Sequence, residues 1–395
     1  MLNLKSVILS FTLVVIYAFF WIWVLKPGKI NYPEELKPAV SLIASAQSVA
    51  PVETVSREEP SLETKIVEEA EKILPQSFQI PILNRKQFFN LSCEFAAASG
   101  IIYHFTNDPN FAVSNEENAE KILISKTPIS KNPNIGIRMG KESISLDDIF
   151  KNLNQKFGGE DYYGIHAPPF IDIFEDFGLS AKPIYINNST VHDIKKAIYS
   201  GNLVMAWIKI GYGEKVDEEL LYGKVQIIKG EHAIAINGYD ENGFIVMDVG
   251  SGRERHIDYT SLLNASSSFI VPFLQIYKAD ENSKSFSIND LTPGFDKLTQ
   301  INRNVPQIYI QNGSDVTGSA NQMREILKDF GYSIDGIGSI SSFDGEYVFI
   351  RSKKNFSDFL PLLKRDLSIA SYKIASVSAD LADEETKDIV IIIGR

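Results

Sequence analysis

Apolar and polar positions divide the chain into four stretches. Residues 7–25, VILSFTLVVIYAFFWIWVL, carry no charge and run about as long as a bilayer core requires. Tyr17, Trp21 and Trp23 lie toward one end, where amphipathic rings favour the membrane interface, with Lys5 before the run and Lys26 and Lys29 after it. The pattern predicts an uncleaved N-terminal transmembrane anchor spanning 1–26. A signal peptide would be shorter, and the nearest small-residue cleavage site, Ala44-Ser45-Ala46, lies about twenty residues too far along. Basic residues flank both sides, and an anchor followed by a large domain is expected to leave that domain outside the cytoplasm. Residues 27–78, rich in Pro, Glu, Ser, Val and Ala, read as a tether. Within it 61–74 has the spacing of a short, solvated, charged helix.

From residue 79 the pattern becomes globular. QFFNLSCEFAAASG (87–100) reads as a polar loop feeding a buried helix, and 107–141 as loop-rich. Leu146, Ile149, Phe150 and Leu153 recur at helical spacing. Pro168-Pro169 opens a helix that stops at Gly178, AKPIYI is a short strand, and Ser189/Thr190 caps a helix ended by Gly201. NLVMAWIKI (202–210) has the unbroken apolar run of a central strand. His232–Asn237 and Phe244–Val249 are predicted strands joined by a GYDENG hairpin loop. Taking Asp240 as the centre of that turn puts His232 directly opposite Asp248, where facing Cβ atoms stand about 5 Å apart.

Residues 279–303 are polar and read as a linker. Beyond them a strand at 307–311, a helix at 319–330, an extended piece from Tyr332, a strand in GEYVFIRS, a helix in FSDFLPLLKRDL and a closing DIVIIIGR strand alternate as βαβ units. The expected fold class is therefore α+β over 79–278, followed by a small two-layer α/β domain at 304–395.

Composition narrows the function. Of 395 residues, 44% are hydrophobic, enough for two cores, and the net charge of −11 argues against nucleic acid as a partner. The single cysteine, Cys93, excludes an intramolecular disulfide and Cys-rich zinc frameworks, and neither HExxH nor a glycine-rich phosphate loop is present, so no metal or nucleotide cofactor is expected. A thiol at a helix N-terminus is favoured as thiolate by the unpaired N–H groups there. Thiol chemistry then needs a base, an orienting group for it and donors for an oxyanion. His232 supplies an imidazole, Asp248 a carboxylate beside it, and Gln87, six residues before Cys93, a side-chain amide. Of the other histidines, His104 reads as packing or surface, His166 as a loop residue near the cleft, His192 as helix surface and His256 as part of an exposed strand.

Gln87-x5-Cys93, the Ala-rich helix behind the thiol, and His-(apolar)4-Asn-Gly-Tyr-Asp before a strand ending in Asp248 resemble the papain-like, double-glycine-leader (bacteriocin-processing) cysteine peptidases, specifically their transporter-free branch. NPNIGIRMGK, YYGIHAPPFIDIFEDFG and YSGNLVMAWIKI agree with that branch in the same order. The resemblance covers about 79–278. It implies a papain-like fold, nucleophile Cys93, base His232, orienter Asp248 and oxyanion glutamine Gln87, acting on a peptide or protein substrate. Two positions depart from it: Glu94 stands where transporter-fused members have Gly, and Val249 where Pro usually follows the Asp. Residues 304–395 resemble the LytR-type C-terminal domain of bacterial envelope proteins through Asn312-Gly313-Ser314, Gly318, Gly331-Tyr332 and DIVIIIG, which implies a cell-wall or envelope partner. A receptor that keeps the cleft without catalysis, and an acyl transferase of the same thiol chemistry, fit the same residues.

Overall fold

The computed structural model describes residues 74–138, 149–150, 153, 164–211, 213–279, 293–341 and 347–394. The anchor expected at 7–25, the tether, and most of the helix expected around 146–153 lie outside these residues. Among the described residues no helix is long and apolar enough to cross a membrane.

A helix made of small and apolar residues must be buried on nearly all sides, and α1 (Cys93–Thr106) is. Ala96, Ala97 and Ala98 let it sit close on the sheet, and a Cβ at Gly100 would stand 2.9 Å from the Met247 methyl. The sheet beneath combines β1 (Phe78–Gln79), β4 (Leu179–Ile184), β5 (Leu203–Lys209), β8 (Glu231–Tyr239), β9 (Gly243–Asp248), β10 (Arg253–Asp258) and β11 (Phe273–Lys278) in the order β10-β9-β8-β5-β11-β4, with β1 also paired to β8. Every residue of β8 is buried, as a central strand's must be, whereas edge strand β10 is nearly all exposed and rich in charge. Helices α3 (Pro168–Glu175), α4 (Thr190–Tyr199) and α5 (Tyr259–Ser266) complete the layer. Short β2 (Ile129–Ser130) pairs with β3 (Ile137–Arg138), and β6 (Lys215–Leu220) with β7 (Gly223–Ile228). Within 107–141, expected to be loop-rich, the structure adds a helix that was not anticipated: α2 (Glu116–Lys126) buries Ala119, Glu120, Leu123 and Ile124 on one side.

The C-terminal part starts with β12 (Phe295–Asp296) paired to β13 (Ile301–Asn302). A mixed sheet follows in the order β15-β14-β18-β16-β17, from β14 (Ile308–Asn312), β15 (Ile334–Ser339), β16 (Val348–Lys353), β17 (Ile374–Leu381) and β18 (Ile389–Ile393), with α6 (Ser319–Asp329) joining the parallel pair β14–β15 and α7 (Phe359–Ile369) the parallel pair β16–β17. Its core also takes in Ile135, Tyr222 and Val225 from the preceding region. Tyr222 donates to Asp358 Oδ2 at 2.5 Å, and Asn132 Nδ2 to the Thr299 carbonyl at 2.6 Å.

Residues 293–303, read from the sequence as part of a linker, hold the most deeply buried ion cluster of this region. Arg303, 0% exposed, bonds Asp366 at 2.7 Å and Asp296 at 3.2 Å. Arg365 reaches Asp296 at 2.5 Å, and the Tyr332 hydroxyl donates to Asp366 at 2.7 Å. Removing one partner strands the other charges in a dry interior. Arg303→Ala is expected to destabilise the protein by about 3–5 kcal/mol, measured by urea unfolding, whereas substitutions on exposed β10 should cost far less.

Candidate active site

Cys93 is the first residue of α1 and only 7% exposed. Its sulfur accepts from the backbone N–H of Ala233 on β8 and is hydrogen-bonded to the Glu94 side chain. Burial pushes the thiol well above its ordinary pKa, and the nearby Glu94 and Glu231 carboxyls push it further; the Ala233 amide opposes them. The sequence expectation of a thiolate favoured by the helix N-terminus is thus overridden by desolvation and two acidic neighbours.

His232 and Asp248 meet, but not by the register expected. The hairpin turns at Glu241-Asn242 rather than at Asp240, whose carboxylate accepts from the amides of Asn242 and Gly243. Tyr239 faces Phe244 and Gly238 faces Ile245; the register then shifts, so that Ile236 faces Val246 and Ala235 faces Met247. Asn237 is the extra, bulged residue. Continued past the ladder, this register sets Gly250 beside His232, and Asp248 falls two residues short: a diagonal, same-face neighbour. His232 Nε2 lies 2.8 Å from Asp248 Oδ1. Without the bulge the register would set Asp248 against Ala235, three residues from His232 and on the opposite face.

Asp248 is held from several sides. Gly250 N donates to Oδ1 at 3.0 Å, while the Ser251 hydroxyl at 2.8 Å and Arg255 Nε at 2.7 Å serve Oδ2. Burial raises its pKa, but the bonds from His232 and Ser251 and the His232 and Arg255 charges outweigh that and hold it well below the usual carboxylate range. Gly250 packs beneath the pair: a Cβ there would sit 3.2 Å from His232 Cε1 and 3.3 Å from Asp248 Oδ1.

Gln87 is close by in the chain but engaged otherwise. Its backbone N–H donates to the Val249 carbonyl at 2.9 Å, tying the loop to the end of β9. Its side-chain Nε2 donates to the carbonyls of Phe89 at 3.0 Å and Asn90 at 2.6 Å, so both amide hydrogens are spent within its own loop. That loop hangs on a residue the sequence reading missed. Glu120 of α2, fully buried, accepts from the amides of Phe88 and Phe89 at 2.7 and 3.2 Å and from the Ser92 hydroxyl. Burial raises its carboxyl to about 7, against the pull of those donors and of Arg85.

A thiol at a helix N-terminus, next to a strand on which an imidazole is oriented by a carboxylate, is the equipment of thiol acyl chemistry. The Peptidase_C39 like family matches residues 78–279. The chain belongs to that family. Membership supports a cysteine peptidase in general, on a mixed α/β fold. No curated protein matches the chain. Among solved structures, one described as a C39-like peptidase from Bacillus anthracis aligns with 51% of this chain and 96% of its own, at 13% identity and a TM-score of 0.39.

Around this C39-like site the remaining histidines separate cleanly. His192 and His256 are exposed, and His256 Nε2 meets Asp240 at 2.9 Å; His104 is half-buried against Phe105. His166, read as a loop residue near the cleft, lies just before α3 outside any helix or strand and is buried beside Glu231, with Nε2 3.2 Å from Oε2. Its one sequence signal was its place just before the Pro-Pro helix. Glu231 had a signal too: it immediately precedes His232, but a charged residue at a strand start reads as surface. Among the described residues no group of three or more His, Cys, Asp or Glu is placed to hold a metal. A cavity of about 460 Å³ between α3 and α7, lined by Pro168, Asp172, Leu360 and Arg365 among others, includes neither Cys93, His232, Asp248 nor Gln87.

The depressed Asp248 carboxyl has a measurable consequence. A folded pKa below the unfolded value of about 3.9 makes its stabilisation fully present above that value and lost as pH falls through the folded one. Wild type should exceed Asp248→Asn by about 1.5–3 kcal/mol at pH 6, the worth of hydrogen bonds to a charged group, and the difference should narrow progressively as pH falls below about 4 in urea unfolding series.

Proposed function

We propose that this chain is a membrane-tethered cysteine peptidase working outside the cytoplasm on peptide bonds. The observation that carries the reading is the 2.8 Å contact between His232 Nε2 and Asp248, on a strand whose next residue, Ala233, touches the Cys93 sulfur. With Nε2 taken by the carboxylate, Nδ1 is the nitrogen left for the thiol proton. Cys93 attacks the substrate carbonyl as its proton passes to His232. The tetrahedral oxyanion is met by the Cys93 backbone N–H and by the Gln87 amide, which must leave the carbonyls of Phe89 and Asn90 to do so. Collapse to a thioester expels the amine, protonated by His232, and water activated by the same imidazole releases the acid.

The finer parts of the reading rest on the sequence. Residues 7–25 anchor the chain in a membrane, and a leader peptide ending in two glycines is the substrate class that the family resemblance suggests. Residues 304–395 act as a LytR-type module that holds a cell-wall or envelope partner. A second reading, a peptide receptor that keeps the cleft without turnover, draws support from the raised thiol and from the engaged Gln87 amide.

Labelling decides between them. Cys93 is the sole thiol, so iodoacetamide incorporation read by mass reports on it alone. A thiolate–imidazolium pair predicts fast labelling well below pH 8, slowed at least tenfold in His232→Ala. Labelling that rises only near pH 8.5, the range of a free thiol, and ignores that substitution leaves the receptor.

A further inference from the structure

Beside Cys93 lies a run of buried polar groups that the proposed chemistry does not use. From α1 comes Glu94, 2% exposed and hydrogen-bonded both to the Cys93 thiol and to Glu231. Glu231, at the start of β8, reaches the backbone amide of Ile165, and its carboxyl fills the space over Gly164, where a Cβ would lie 1.9 Å from Oε1. His166 Nε2 stands 3.2 Å from Glu231 Oε2, and its Nδ1 lies 3.0 Å from Asn134 Oδ1. Asn134 in turn donates through Nδ2 to Gln300 at 3.4 Å. Arg138 on β3 is the nearby cation, paired with Glu218, and His232 extends from the strand beside Glu231.

The neighbours of each group assign its proton. Asn134 presents its oxygen, so His166 carries its proton on Nδ1, and the lone pair on Nε2 faces Glu231. Burial disfavours the His166 imidazolium, and facing a neutral imidazole at 3.2 Å, Glu231 is better held protonated than charged. Two carboxyls bonded to each other likewise need a proton between them. Burial moves each group the same way: the His166 imidazolium is disfavoured down to about 3, Glu231 is raised to about 8, and Glu94 well above its ordinary value.

We propose that Glu94 and Glu231 form a proton-sharing carboxyl pair that sets when Cys93 reacts. While the pair keeps its protons, the thiol proton passes to His232 and the pocket holds one thiolate against one imidazolium. When the pair loses a proton to solvent, its negative charge stands next to the sulfur and keeps the thiol protonated. The site therefore works on the acid side of the pair's ionisation. Glu94 and Glu231 are positioning residues, acting through Cys93. The inference deepens the peptidase reading and rests on it only for the role of His232.

The test is the iodoacetamide rate on the full-length protein from pH 5 to 9, for wild type, Glu94→Gln, Glu231→Gln and His232→Ala. Each Glu→Gln change keeps shape and hydrogen bonding, and circular-dichroism melting verifies folding; either folded variant suffices. Wild-type labelling should fall as pH rises from 6 to 9, and either variant should remove that fall, raising the rate at pH 8 about tenfold, the effect of a one-unit change in thiol pKa. Superimposable wild-type and variant profiles overturn the pair. A Glu94→Gln shift with no effect of His232→Ala upholds the pair and removes the peptidase. Dependence on His232 with no shift in either Gln variant does the reverse.

Discussion

One extra residue in β8 decides whether this site can exist. Side chains alternate across a strand, so the parity of the β8–β9 register, more than any contact energy, determines whether His232 and Asp248 share a face. The bulge at Asn237 supplies that parity, and the structure holds it firmly. The Asn237 carbonyl accepts from Ile80 N at 2.7 Å and its side-chain amide donates to the Ile80 carbonyl at 2.9 Å, in a strand whose next pairs are Gln79 with Gly238 and Phe78 with Tyr239. The start of the described chain thus acts as a clamp on the register of a hairpin more than 150 residues later. From there the chain runs through Gln87, bonded to Val249, into the helix that carries the thiol. Register, loop and nucleophile share one hydrogen-bonded frame.

Buried carboxyls are the second organising element, and they divide by what surrounds them. Asp248 is met by imidazole, hydroxyl, amide and guanidinium, and remains ionised. Glu120 has amide and hydroxyl donors with a more distant arginine, enough to hold a loop but leaving its carboxyl at about 7. Glu94 and Glu231 have chiefly each other, a thiol and a neutral imidazole, so desolvation dominates and they hold protons. The carboxyl group takes three electrostatic characters within one small domain because the number and charge of its donors differ.

The same contrast explains what could be read in advance. Strands with unbroken apolar runs, such as β5, and helices opened by proline, such as α3, announce themselves, since burying an apolar face is a local property of the sequence. Cys93 and His232 stand out as candidates because the chain holds one cysteine and five histidines, and the structure brings His232 to Asp248 while the Gln87 amide is spent in its own loop. Other features were less legible. The bulge leaves no mark in composition, so the facing register was off by two residues although the partners were right. Helix α2 sits between Asn- and Pro-rich stretches that read as loop. Edge strand β17, with the sequence IASVSADL, has too few large apolar residues to declare itself. Arg303 and Asp296 looked like a linker because a polar residue satisfied in the interior is written with the same letters as one satisfied by water.

That ambiguity matters most where the C-terminal module meets the peptidase-like domain. Ile135, Tyr222 and Val225 belong by chain position to the first domain and by packing to the core of the second. A connector that were merely flexible would not place them there. Gln300 sits at this junction, accepting from the Gln226 backbone at 3.1 Å and from Asn134, which orients His166 against Glu231. The tautomer of a buried histidine two bonds from the Cys93 pocket is therefore set by an asparagine whose own orientation is fixed from the C-terminal side. Side-chain amides have two inequivalent ends, so turning Asn134 would present a donor where His166 needs an acceptor, and the proton arrangement beside the thiol would have to change with it. The C-terminal module is thus built into the electrostatics of the site through its packing, whatever else it binds.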